Sequence, residues 1–154
     1  MIQIRPMHSG EEEEVIRLVR QVFDQQVAPG YKPEGSETFH RYADAGALSA
    51  RRKDHTVMVA ILEEEIIGVL EMRGTTHLAM LFVEQDCQRR GVGSALFEAA
   101  MKHNLAENPD LDFVTVHASP NAVDFYKTLG FETKEPEQET DGIRYTPMIL
   151  DLWR

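Results

Sequence analysis

The run Gln88-Arg89-Arg90-Gly91-Val92-Gly93-Ser94-Ala95-Leu96 constrains this chain more than any other stretch. It sets two glycines and two arginines where an apolar segment gives way to a helical pattern. Glycine lets a backbone approach an anion closely, the first N–H groups of a helix have no partner within it, and the helix dipole adds roughly half a positive charge there. These are the parts of a phosphate-binding turn, and a ligand with a diphosphate is the first expectation. A dinucleotide-binding turn wants a third glycine where Leu96 stands, and no Gly-Lys-Ser/Thr run offers a triphosphate loop. A plain tight turn before a helix also fits the two glycines, so the flanking segments decide.

Upstream, residues 77–83 (His77, Leu78, Ala79, Met80, Leu81, Phe82, Val83) read as a strand, and downstream residues 113–118 read as another. The glycine helix between them makes a βα unit feeding a parallel strand. Residues 121–131 then give a short helix, with Asn121, Phe125 and Tyr126, stopped by Gly130 before Phe131. The two blocks in this order resemble the GNAT superfamily of acyl-CoA-dependent N-acyltransferases. That family joins a strand ending in Val to Gln/Arg-x-x-Gly-x-Gly/Ala, and later has Asn-x-x-Ala/Val-x-x-Phe-Tyr-x-x-x-Gly-Phe. Val83, Gln88, Gly91 and Gly93, then Asn121, Phe125, Tyr126, Gly130 and Phe131, supply both blocks. Residues 141–148 also resemble the end of many small members, so the likeness runs from about Val57 to Leu152.

A chain of 154 residues holds one core of ordinary size, and a single domain over residues 1–154 is expected. No apolar run is long enough to span a bilayer, and the opening residues are too short for a signal peptide, so a cytoplasmic protein is expected. The single cysteine, Cys87, excludes an internal disulfide framework and fits a reducing compartment. A net charge of −10 argues against nucleic acid or an anionic membrane as partner and suits an amine. An anionic cofactor must then be held locally by Arg89, Arg90 and backbone N–H groups. The acidic runs 11–14, 63–65 and 135–139 read as solvated surface.

Ile2 and Ile4 alternate with polar residues in a first strand, and Ser9 with Glu12 forms a capping box for a helix whose apolar face includes Val15, Val19, Val22 and Phe23. Residues 25–33 read as a loop before a second helix, which Ser36 caps and which runs toward Arg52. Residues 57–62 and 66–72 form a hairpin, so four strands precede the glycine helix. Residues 132–140 are too polar for core, and residues 143–153 read as a final strand with Pro147 inside, at a bulge or with the missing N–H facing an edge. The count gives a mixed sheet with helices on both faces. The resemblance implies an α+β fold, a three-layer α/β/α sandwich around a mostly antiparallel sheet of six to seven strands.

Acyl transfer to an amine needs a held thioester, donors for the oxyanion, a base and an acid. The resemblance implies acetyl-CoA as donor, with the backbone of Leu81, Phe82 and Val83 pairing with its pantetheine arm and the Val83 N–H on the thioester carbonyl. It assigns Gln88 to the shape of the turn and implies that the stretch Arg89 to Ser94, with Val92 inside it, cradles the diphosphate. Tyr126 is the acid candidate, because a phenol near pKa ~10 can donate to a thiolate near ~8.5. Phe125 and Leu129 make a core stripe at helical spacing, which leaves Tyr126 about 100° away to face the cofactor. His77 stands where several family members carry a glutamate base; a strand-end histidine satisfied by solvent reads as well, and His117 and Glu71 are reserves. Asn121 either caps its helix or bonds the cofactor arm, with Ser119 and Pro120 competing for the helix start. Cys87 reads as a plain buried or loop residue, and no Cys/His cluster suggests a metal. The resulting expectation is an acetyl-CoA-dependent N-acetyltransferase acting on a small-molecule or peptide amine by direct attack. A non-catalytic acyl-CoA-binding sensor is the alternative, and the acceptor and oligomeric state, a homodimer among the options, stay open.

Overall fold

Residues 57–60 and 66–72 are buried almost throughout, as befits strands covered on both faces. They belong to an eight-stranded sheet in a computed structural model that describes residues 1–152. In chain order the elements are β1 (Gln3–Pro6), α1 (Glu12–Val22), α2 (Pro33–Tyr42), α3 (Ala45–Arg51), β2 (His55–Leu62), β3 (Glu65–Arg73), β4 (His77–Val83), α4 (Val92–Glu107), β5 (Phe113–Ala118), α5 (Val123–Thr128), β6 (Glu132–Thr133), β7 (Gln138–Thr140) and β8 (Ile143–Asp151). The strand order is β1-β2-β3-β4-β5-β8-β6, with β7 also on β8, and every pairing is antiparallel except β4 with β5.

The pleat sends alternate side chains into two cores. Met58, Leu70, Met72 and Leu78 meet Leu96, Ala100 and Phe131 on one face. Val57, Val59, Val69 and Met80 meet Val15, Val19, Val22 and Leu48 on the other. Leu48 is the buried anchor of the short α3, and burying it fully contributes about 2 kcal/mol. Pairing of Glu71 with Met80 and of Met72 with Leu78 leaves Ala79 as one extra residue in β4. That bulge lets Leu78 and Leu81 share one core while Met80 enters the other.

Several local expectations are corrected. Helix α1 has no side-chain cap from Ser9; the carboxylates of Glu11 and Glu12 instead accept the N–H groups of His8 at 2.7 Å and Gly10 at 2.8 Å. The expected single helix toward Arg52 is two, because Ala43 leaves the helical region and Asp44 caps α3 by accepting the Ala47 N–H at 3.0 Å. Its start is Pro33 after Lys32, with Ser36 inside rather than at the cap. The sheet exceeds six to seven strands because the polar stretch 132–140 contributes β6 and β7, both on β8 and neither in the core. In β8 the Pro147 carbonyl accepts the Lys134 N–H at 2.8 Å, on the side away from β5, so the missing N–H spares the β5 ladder. Trp153 lies outside the described residues.

Candidate active site

Strands β4 and β5 pair only at His77 with Thr115 and Leu78 with Val116, then part, while β4 stays paired with β3 up to Val83. The result is a wedge with its vertex at His77 and its wide end at Val83. The N–H of Glu84 reaches the Ile67 carbonyl on β3 at 2.8 Å, so by alternation the backbone polar groups of Val83 and Leu81 face the wedge and those of Phe82 face β3. Phe82 therefore brings its ring, not its backbone, to this region. It lies 5.7 Å from Phe39, which stacks on Phe23 at 4.1 Å.

The glycine turn closes the wide end. The Gln88 amide donates to the Val83 carbonyl at 2.9 Å and to Gln26 Oε1 at 2.9 Å, tying the turn to the segment after α1. Gln26 gave no signal in the sequence. Gly91 begins α4 with φ +78° and Arg89 has φ +67°, so two left-handed residues turn the chain and leave both arginines exposed beside the free first turn. Cys87 is buried and its thiol is pushed up by that burial, which suits a packing residue.

Helix α5 corrects the expected stripe: Tyr126, not Phe125 or Leu129, is its buried residue. The Tyr126 ring packs edge-on against Phe131 at 5.4 Å and Phe125 at 5.4 Å, and joins the core that Leu81 and Val83 border. Burial raises its pKa above the usual phenol value. Phe125 in turn meets Gly93 in the first turn of α4. Asn121 is exposed, accepts the Ser119 hydroxyl at 2.8 Å and caps nothing. The structure thus brings Leu81, Val83, Gln88, Gly91, Gly93, Phe125 and Tyr126 into one neighbourhood and sets His77 at its far end.

Comparison with known proteins decides the family. A family model described as an acetyltransferase (GNAT) domain matches residues 27–152. The chain belongs to the GNAT acetyltransferase family. This N-acetyltransferase is 27% identical over 150 residues to the uncharacterized N-acetyltransferase YafP of Escherichia coli K12, covering 97% of this chain and 94% of the relative. It is 25% identical over 152 residues to the peptidyl-lysine N-acetyltransferase YjaB of Salmonella typhimurium LT2, covering 97% and 96%. Its fold matches a GCN5-related N-acetyltransferase from Rhodopseudomonas palustris with a TM-score of 0.82 at 23% identity, over 97% of this chain and 95% of the other. It also matches the PaiA N-acetyltransferase of Thermoplasma acidophilum, solved in complex with coenzyme A, with a TM-score of 0.80 at 19% identity over 98% and 99%.

At the vertex of the acetyltransferase wedge, His77 Nδ1 lies 2.9 Å from Thr115 Oγ1, and its ring meets His117 edge-on at 5.0 Å. Burial, then the nearby Arg73 charge and His117, pull the His77 pKa down to about 4. His117 is exposed, stacks on Tyr145 at 4.4 Å and is also lowered, by burial and then Arg73. Glu71 leaves the list of bases. It is fully buried, takes a bidentate bond from Arg51 at 2.7 and 3.2 Å and a short bond from His55 Nδ1, and is thereby committed. Tyr31, Phe39, His40 and Tyr42 form an aromatic group with Phe23 around α2. That group is clasped to the β7–β8 turn by Tyr31 to the Arg144 carbonyl at 3.0 Å and Thr38 to the Asp141 carbonyl at 2.8 Å. Among the described residues no group of three side chains could hold a metal ion, and no helix is long and apolar enough to cross a membrane.

Proposed function

We propose that this enzyme transfers the acetyl group of acetyl-CoA to a primary amine by direct attack, and that the wedge between β4 and β5 holds the donor. The observation that carries the reading is the pair of inward-facing backbone edges, Leu81 and Val83, between a vertex at His77 and an open helix start at Gly91. The diphosphate would meet the first N–H groups of α4 with Arg89 and Arg90 beside it, and the arm would run along β4 as an added strand. Such a course brings the reacting end toward the vertex, which moves the expected oxyanion donor from Val83 toward Leu81.

His77, neutral at pH 7, would accept the amine proton directly or through water, and Tyr126 would donate to the departing thiolate. The nitrogen–carbon bond forms as the carbon–sulfur bond breaks. One proton leaves on imidazole and one arrives from the phenol, which solvent then restores. A cationic acceptor suits the net charge of −10, and the relative named as a peptidyl-lysine acetyltransferase supports a lysine-type amine. A single buried cysteine suits a reducing cytoplasm.

Calorimetric titration with acetyl-CoA, with free CoA and ATP as controls, tests this donor site. Saturable acetyl-CoA binding with none for ATP is expected, weakened by Gly91→Trp in a folded sample. No acetyl-CoA binding by folded protein overturns the reading.

A further inference from the structure

We propose that Thr115 is a positioning residue: it holds His77 in the tautomer that carries hydrogen on Nδ1 and so presents the bare Nε2 to the incoming amine. The inference rests on the reading of His77 as base. The two residues face each other in one of the only two β4–β5 pairs, so the backbone itself sets their approach. The Thr115 N–H donates to the Thr76 carbonyl at 2.7 Å, and the Thr115 hydroxyl donates to the same oxygen at 3.3 Å. A carbonyl only accepts, so the hydroxyl proton is committed to Thr76 and an oxygen lone pair is left toward the imidazole. Nδ1, 2.9 Å from that oxygen, is then the donor. Turning the hydroxyl proton toward Nδ1 gives the opposite tautomer with one hydrogen bond fewer.

What surrounds the ring makes the tautomer matter. Arg73 stands opposite His77 across the β3–β4 ladder, His117 comes from β5 and Tyr145 from β8 stacks on His117. Burial, and after it the cation across the ladder, disfavours a second proton on His77, so the ring works as a neutral imidazole with one acceptor nitrogen. Fixed as the structure has it, that nitrogen is the one not spent on β5. The partner of the other ring nitrogen decides which nitrogen reacts, as second-shell groups do at metal-bound histidines, where their loss costs 10- to 100-fold.

Long-range ¹⁵N–¹H correlation on ¹⁵N-histidine-labelled protein at pH 7 reads the tautomer directly, with His77→Gln identifying the signals. The expected spectrum shows His77 protonated at Nδ1 in the wild type, a shift toward Nε2–H in Thr115→Val, and recovery in Thr115→Ser. Steady-state transfer from acetyl-CoA to an Nα-blocked lysine peptide should fall roughly 10-fold in kcat for Thr115→Val, with the KM for acetyl-CoA unchanged and near-wild-type kcat for Thr115→Ser. An Nε2–H tautomer in the wild type, or an unaltered tautomer in Thr115→Val, overturns the role of Thr115. Unchanged kcat in His77→Gln overturns the base reading instead, which keeps the two failures apart.

Discussion

The ring of Phe125 stands where a side chain at Gly93 would have to go: a Cβ there would lie 3.0 Å from Cζ. The two glycines of the turn therefore do different work. Gly91 has φ +78° and open space around it, so its demand is conformational, whereas Gly93 is bare so that α5 can close on the first turn of α4. Gly93→Ala is expected to push Phe125, and with it Tyr126, outward by a few tenths of an ångström, costing about 1 kcal/mol and lowering kcat. Gly91→Ala should cost about 1–2 kcal/mol through backbone strain without moving α5. Thermal melts and acetyl-CoA turnover of the two variants check this, and wild-type values for Gly93→Ala would show that the contact is slack.

Tyr126→Phe should fold with an unchanged melting temperature, because the ring keeps its core packing against Phe125 and Phe131 without the hydroxyl. Turnover should drop about 100-fold with acetyl-CoA binding intact, the usual scale for losing a general acid. Since burial holds the phenol above its ordinary pKa, no loss of activity from Tyr126 ionisation is expected as pH rises to 10. Titration calorimetry and a pH profile of kcat test both statements. Full turnover in a folded, donor-binding variant refutes the acid role.

The strands through β5, the β2–β3 hairpin, the parallel step from β4 to β5 and the glycine helix were legible because apolar periodicity and turn residues report local structure. Less legible was whatever depends on two distant segments meeting. Gln26 gives no local signal, yet it fixes Gln88 across 62 positions of sequence. Gly35 and Gly142 stand far apart in sequence, but their backbones touch so closely that a Cβ on Gly35 would lie 2.2 Å from the Gly142 carbonyl oxygen. Burial of Tyr126 in place of Phe125 is of the same kind: helical spacing gives two faces 100° apart, and the core around Phe131 chooses between them. The Glu71 carboxylate looked available because nothing local says that Arg51 and His55 converge on it.

His77 should give no titration near pH 6.5. With burial, Arg73 and His117 holding it at about 4, it stays neutral through the working range, and an activity limb due to it would centre near pH 4. The same shift acts on stability. An unfolded chain takes up this proton as pH falls below about 6.5 while the folded chain resists, so stability is lost between about 6.5 and 4 and no further below. His77→Gln should therefore melt with a flatter pH dependence than wild type over pH 6.5 to 5. Parallel slopes in that window would place His77 in water with an ordinary pKa.

Glu71 and Arg51 make the sharpest stability prediction. A carboxylate with no exposed surface is held by both arms of Arg51, whose guanidinium also lies 3.6 Å over the Tyr42 ring and donates to the Tyr42 carbonyl at 2.8 Å. The cluster thus pins α2 and α3 to the sheet beside His77's side of the wedge. Arg51→Met leaves the buried carboxylate its His55 bond but no guanidinium, and the expected loss is about 3–5 kcal/mol, a fall of roughly 6–20 °C in Tm. Adding Glu71→Leu removes the stranded charge, so the double variant should regain most of that loss, even though it lacks both partners. Thermal melts of the two variants distinguish the cases: a double variant no more stable than Arg51→Met alone would mean that the Arg51 contacts to Tyr42, and not the buried charge, hold the helices down.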